Sequence, residues 1–511
     1  MSRRGARPGA RFAGRRLSPI RAVSTVVVAV AAAAVAVGAA VAPFLPADVA
    51  GANEHRWFAG YYDVTLEDGE KLARSNLADG DGGIVLAFVV AADDDDCTPT
   101  WGKAYGLDDA SGRFELDRRV ARLIGEGRPV AVSFGGAVNT ELAVACTDTT
   151  DLAGAYRDVV DRYGVDTIDL DIEGDTLSDT AASRRRAEAI ATLQRERADD
   201  DRGLAVWLTL PVAPDGLTSE GLALVEDMLD AGVKIAGVNA MTMNYGDGGT
   251  ASLIDLSTGA LDATAAQLRE TWAARDLALP ADGVWSMIGA TPMIGRNDVP
   301  GEVFSTDDAR ALNAFAAERG MARLSMWSIN RDRTCGSNYV YTGVVSNECS
   351  GVEQAGEKFA DLLAEGYVPT ATATAAPRTP TIADDPATSP YPLWTSTSYY
   401  SAGVTVVWNG SVYISKWWNE DGPAPDDPGL DLDASAWTYL GPVLATDRPF
   451  TLPTLPDGTY PDWDPAALYD QGDRVMWEGT GYEARWWSQG KRPDRSVLDR
   501  DYSPWKLVTD P

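Results

Sequence analysis

A single histidine, His55, stands in the whole chain of 511 residues. One imidazole cannot serve both a Ser/His/Asp triad and a multi-histidine metal centre, so carboxylates must carry any acid–base chemistry. Cysteine is nearly as scarce: Cys97, Cys146, Cys335 and Cys349 show no CxxC spacing, which argues against a metal site built on thiolates. Positive charge is short as well, with 44 Lys and Arg against 75 Asp and Glu and a formal net charge of −31. Such a field repels phosphate backbones and anionic lipid, which excludes nucleic acid as a natural partner. Hydrophobic residues at 45% and charged residues at 23% match an ordinary globular chain, not a polytopic membrane protein or a disordered one. At about 100–200 residues per domain the length leaves room for several domains.

The start of the chain differs from the rest. Residues 1–21 hold seven arginines and no acid, and Ala22 to Leu45 form an almost unbroken apolar run. Residues 1–50 read as an export signal, so the protein is expected outside the cell. The run exceeds the roughly 7–15 apolar residues of a typical signal, so an uncut N-terminal membrane anchor is the alternative. An even number of cysteines in an exported chain predicts disulfides. Of three pairings, Cys97 with Cys146 and Cys335 with Cys349 is favoured, because the second closes a short local loop.

From residue 53 to 366, short apolar or β-branched runs alternate with longer segments of helical period. Eight strands are predicted: Phe58–Leu66, Ile84–Val90, Pro129–Phe134, Asp166–Glu173, Leu204–Leu210, Gly237–Met243, Val284–Met293 and Leu324–Ser328. Helices are predicted between them, the last over Val352–Glu365. This is the pattern of an α/β fold, a (β/α)8 barrel whose active site sits where the strands end. Residues 367–390, rich in Pro, Thr and Ala, read as an extended linker. After it, Trp394, Gly403, Trp408, Tyr413, Trp417 and Trp418 recur 69 residues later as Trp463, Gly472, Trp477, Tyr482, Trp486 and Trp487. Two small all-β modules are therefore expected, at 391–443 and 460–511, separated by a second linker at 444–459.

The segment from Asp166 to Glu173 carries the chemistry. On a strand, residues two apart share a face, so Asp169, Asp171 and Glu173 point into the barrel while Ile168, Leu170 and Ile172 face the helices. Crowding and burial of three carboxyls must raise at least one pKa, and the outermost, Glu173, is best placed to deliver a proton. This run resembles the DxxDxDxE signature of the glycoside hydrolase family 18 chitinases. Ser133-Phe134-Gly135-Gly136 resembles that family's SxGG element, and Met326-Trp327-Ser328 its last-strand tryptophan. Tyr62-Asp63-Val64, Cys97 to Gly102 and Thr291 to Gly295 are similar to elements of a bacterial secreted subgroup.

The resemblance implies a retaining, substrate-assisted hydrolysis of β-1,4 bonds between N-acetylglucosamine units. Glu173 would protonate the glycosidic oxygen while the sugar's acetamide attacks the anomeric carbon. Asp171 would orient the acetamide, Asp169 would hold Asp171 by sharing a proton, and Trp327 would floor the subsite. Ser133, Gly135, Met241, Met243, Asn244 and Tyr245 are the further candidates for substrate contact. Two departures stand out: Thr167 replaces a usual Gly, and Met241-Thr242-Met243-Asn244-Tyr245 replaces the common Met-x-Tyr-Asp. Asn244 carries no charge, and Tyr245 is the candidate to supply the missing hydroxyl.

The repeated modules resemble carbohydrate-binding families 5 and 12. Tyr413, Trp417 and Trp418, with Tyr482, Trp486 and Trp487, are the candidate platforms for stacking on sugar rings, and one tryptophan of each pair is expected to be buried. Neither metal nor cofactor is implied. The expected partners are chitin and N-acetylglucosamine oligomers, with the protein acting as a monomer. The alternatives are a glycosidase for another acetamido sugar, in peptidoglycan or N-glycans, and a non-catalytic chitin-binding protein.

Overall fold

The computed structural model describes residues 56–66, 82–246, 249–339, 344–367, 384–420, 422–426 and 435–508. The expected export signal at 1–50 lies outside them, as do residues 368–383 of the first linker. Eight parallel strands form a closed ring: β1 (Trp57–Asp63), β2 (Gly83–Asp93), β3 (Val130–Gly135), β4 (Thr167–Asp171), β5 (Ala205–Ala213), β6 (Ile235–Met241), β7 (Ile288–Thr291) and β8 (Arg323–Leu324). Because β1 pairs with both β2 and β8, no barrel edge is left open. Helices α1 (Leu107–Phe114), α2 (Leu116–Gly125), α3 (Thr149–Tyr163), α4 (Thr180–Asp199), α5 (Ser219–Asp230), α6 (Leu253–Ala274), α7 (Thr306–Arg319) and α8 (Phe359–Ala364) follow the strands. The chain thus folds as a (β/α)8 barrel.

Local chemistry explains the boundaries. Ser305 starts α7 with a reciprocal capping box to Asp308, and Gly320, at φ 73°, ends it. Ile168, Leu170 and Ile172 are fully buried on the helix side of β4, which leaves the intervening acids facing inward. Three expectations need correction. The strand predicted over Val284–Met293 begins with a 3-10 turn, Val284–Met287, because a largely apolar run without clear alternation does not reveal where a strand starts. The acidic strand ends at Asp171, two residues before Glu173, and the last helix spans only Phe359–Ala364. The chain after β2 also folds back as a hairpin, Asp96–Trp101 and Tyr105–Gly106, which carries Cys97 to Cys146. Both disulfides pair as favoured, with Cα atoms 4.9 Å apart for Cys97–Cys146 and 5.0 Å apart for Cys335–Cys349.

Beyond the barrel stand two three-stranded antiparallel sheets. The first contains β9 (Thr405–Trp408), β10 (Ser411–Ser415) and β11 (Trp437–Pro442); the second contains β12 (Arg474–Trp477), β13 (Thr480–Ala484) and β14 (Trp505–Leu507). The sequence repeat is a structural one, and each first hairpin turns on two residues of positive φ, Asn409-Gly410 and Glu478-Gly479.

The first sheet lies against α2. Arg118 pairs with Asp447 at 2.8 Å and Arg122 donates to the Tyr439 carbonyl at 3.1 Å, while the Tyr391 hydroxyl donates to Glu115. Gly441, at φ 146°, permits this approach, since a Cβ there would sit 2.3 Å from the Arg118 carbonyl oxygen. Segment 444–459 is therefore not a free spacer, because Asp447 anchors it to the barrel. Segments that precede β9 and β14 also meet each other: the Ser401 N–H donates to the Leu498 carbonyl at 2.9 Å, and the Asp501 N–H to the Ser401 hydroxyl at 3.1 Å.

Candidate active site

A cavity of about 550 Å³ opens at the C-terminal ends of the barrel strands. Asp171, Met241 and Thr291, the last residues of β4, β6 and β7, form part of its wall. Glu173, Met243, Asn244 and Trp327 line it too, with Tyr61, Phe88, Thr209, Met293 and Asp298. Trp327 stacks on Phe88 with ring centroids 5.4 Å apart and planes 19° apart, so the aromatic wall is braced before any ligand arrives.

Beneath the cavity lies a buried polar layer. Asp169 accepts on Oδ2 from Tyr61 at 2.8 Å and Ser133 at 2.7 Å, and on Oδ1 from Thr209 and Arg323, both at 2.7 Å. Parallel register sets Ser133 directly beside Asp169 on the neighbouring strand. Arg323 is fully buried, lies over the rings of Trp57, Tyr61 and Trp207, and supplies the positive charge that Asp169 needs in the barrel interior. Asn239 extends the layer by donating to Thr209 at 2.9 Å and Thr291 at 2.7 Å.

In this structure the two inner carboxyls are not hydrogen-bonded to each other: the oxygens of Asp169 accept from four donors, and Asp171 Oδ1 is buried with no hydrogen-bond partner. Burial holds the Asp171 carboxyl well above the usual range, the negative fields of Glu173 and Asp169 add to this, and Arg323 opposes it. Glu173 is raised as well, by burial first and then by the Asp298 carboxylate. Glu173 sits at the start of a short helix, Gly174–Ser178, yet its side chain caps no backbone N–H and stays available to the cavity.

Asp171, Glu173, Met241, Met243, Asn244 and Trp327 are brought together around one space. Ser133 and Gly135 are not in its wall: Ser133 supports Asp169, and Gly135, at φ 102°, passes so close that a Cβ would lie 2.2 Å from the Asp171 carbonyl oxygen. Tyr245 is also turned away. Glu302 grips the N–H groups of Tyr245 and Gly246, and the Tyr245 hydroxyl lies nearest Ser257 of α6, so it does not offer its hydroxyl to the cavity.

The repeat aromatics divide differently from the expectation. Tyr413 and Tyr482, at 8% and 0% exposure, lie mid-strand in β10 and β13 and form module cores. Trp417, Trp418, Trp486 and Trp487 follow those strands, where alternation no longer applies, and all four stay exposed at 44%, 39%, 42% and 59%. Trp418 is flanked by Tyr399 at 6.1 Å and by Tyr502, in the turn before β14, at 5.7 Å.

Sequence reasoning missed Tyr61, Thr209, Asn239 and Arg323. A signal existed, since Thr209 lies between Leu208 and Leu210, and Asn239 between Val238 and Ala240: single polar residues inside apolar strands. Asp298 lies in a loop and had none.

No protein-family model matches the chain. The Escherichia coli (strain K12) protein named "Probable bifunctional chitinase/lysozyme" is 36% identical over 289 residues, which are 55% of this chain and 31% of that one. Endochitinase 11 of Metarhizium anisopliae is 34% identical over 286 residues, 54% of this chain and 52% of the relative. The chain is similar to chitinases. It spans at most about half the length of these two curated relatives. The catalytic domain of a hyperthermophilic chitinase from Pyrococcus furiosus matches with 27% identity and a TM-score of 0.49, over 61% of this chain and 95% of that one.

Proposed function

We propose that the chain is a family 18 glycoside hydrolase of the bacterial secreted kind, a chitinase with two C-terminal chitin-binding modules. The observation that carries this reading is the pairing of Glu173 with Asp171, whose buried Oδ1 has no partner, in the wall of one cavity. An acetamide N–H is the donor that Oδ1 lacks. The two carboxyls repel each other, so the pair retains a proton. Positive charge growing on the acetamide nitrogen favours the anionic form of Asp171 and leaves that proton with Glu173, which passes it to the leaving oxygen. The acetamide oxygen closes on the anomeric carbon, and water later opens the oxazolinium ion with Glu173 as base, so configuration is retained. Asp169 and its four donors hold the floor rigid, and Trp327 receives the sugar's apolar face.

Incubation with N-acetylglucosamine oligomers tests the reading. The expected results are release of the β-anomer first and inhibition by a thiazoline analogue of the oxazolinium ion. Cleavage of peptidoglycan or N-glycans in preference to chitin oligomers would replace the substrate while leaving the mechanism. The first arm matters because one relative's name includes lysozyme.

In this reading the exposed tryptophans hold the enzyme on solid chitin. Removing residues 391–511 would strip the cover from Arg118, whose side chain is only 4% exposed, so substitution is the cleaner test. Replacing Trp417, Trp418, Trp486 and Trp487 with Ala is expected to lower activity on solid chitin on the order of tenfold while sparing short oligomers. Equal losses on both substrates would remove the modules from substrate capture.

A further inference from the structure

The loop after β7 brings a carboxylate to the cavity that holds Glu173: Asp298 lines the same space. Asn244, just beyond β6 and at φ 56°, holds it there. Its Nδ2 donates to Asp298 Oδ2 at 3.4 Å, its Oδ1 accepts the Val299 N–H at 3.2 Å, and its own N–H donates to Asn297 Oδ1 at 3.2 Å. Asn297 is buried and donates in turn to the Met293 carbonyl at 2.8 Å, which ties this clamp to the cavity wall. An amide at position 244 donates to one neighbour and accepts from the other; a carboxylate there would accept only, and would repel Asp298.

Resting on the chitinase reading above, we propose that Asp298 is a positioning residue for the proton donor, a negative charge fixed by Asn244 that acts on Glu173 across the cavity. Like charge favours the protonated form of Glu173, so the acid survives to higher pH than burial alone allows. The other charged groups around the pair act in known directions. Asp171 reinforces the negative field from below, Arg331 attracts Asp298 from the segment after β8, and Arg323 and Asp169 offset each other one layer down. Asp298 is exposed to solvent, so its influence is weakened by salt.

The test is the pH dependence of kcat/KM on N-acetylglucosamine oligomers, whose alkaline limb reports loss of the proton that Glu173 and Asp171 hold between them. Asp298→Asn keeps the shape and, at an exposed site, the fold. It is expected to move that limb down by roughly half a pH unit at low ionic strength, and by less in high salt. The double variant Asn244→Asp with Asp298→Asn returns the charge to the other member of the pair and is expected to bring the limb back up. An unmoved limb in Asp298→Asn, with or without a lower rate, overturns the proposal, as does a double variant that behaves like the single one. An inactive wild type would instead count against the chitinase reading, so the two failures are distinguishable.

Discussion

Glu173→Gln is expected to lower turnover of N-acetylglucosamine oligomers by about 10²–10⁴-fold, the usual contribution of a positioned general acid, while oligomer binding persists. The amide keeps the volume and can still donate a hydrogen bond, yet it has no proton to transfer. Because both Asp171 and Glu173 are raised, wild-type activity should fall as pH rises through the range where the pair loses its proton. Glu173→Gln should abolish that limb along with the rate. Measuring kcat by product analysis and Kd by calorimetry on the same oligomers separates the two effects. Turnover equal to wild type would remove Glu173 as the acid, and loss of binding without loss of kcat would make it a substrate contact only.

Arg323→Met is expected to destabilise the barrel by about 3–5 kcal/mol, the cost of breaking a buried ion pair from one side. Both Arg323 and Asp169 are fully buried, and their contact at 2.7 Å is the direct compensation for the Asp169 charge. Arg323 also donates to the Tyr61 hydroxyl at 3.2 Å, so the substitution loosens a second donor to Asp169. Arg323→Lys keeps the charge but not the planar fork that reaches Asp169 and Tyr61 together, and should fall between the two. Denaturant unfolding checks this, and a loss below about 1 kcal/mol for Met would mean that the hydroxyls alone hold Asp169. Activity should fall with stability, since Asp169 forms the floor under Asp171.

The alternation of β4 was legible because a strand's side-chain period is two, and Ile168, Leu170 and Ile172 left only one face for the acids. The repeat of aromatic residues was legible as a repeat, but not as a surface. Tyr413 and Tyr482 have the same chemistry as residues that stack on sugars, and only their place in the middle strand of each sheet assigns them to the core. Tyr245 stood next to the right motif, yet the reversal at Asn244 and the grip of Glu302, 57 residues away, turn it aside.

By itself the amino-acid order determined the parallel α/β architecture and the inward line of carboxyls, because each depends on periodicity along one stretch of chain, whereas it only favoured one cysteine pairing of three. Tertiary structure alone decided which donors saturate Asp169, that Arg323 compensates it from the far side of the barrel, and that Asp298 and Glu173 line one cavity. The contacts of Asp169 span 36 positions in the case of Ser133 and 154 in the case of Arg323, and closure of the ring is what brings the most distant of them within hydrogen-bond reach.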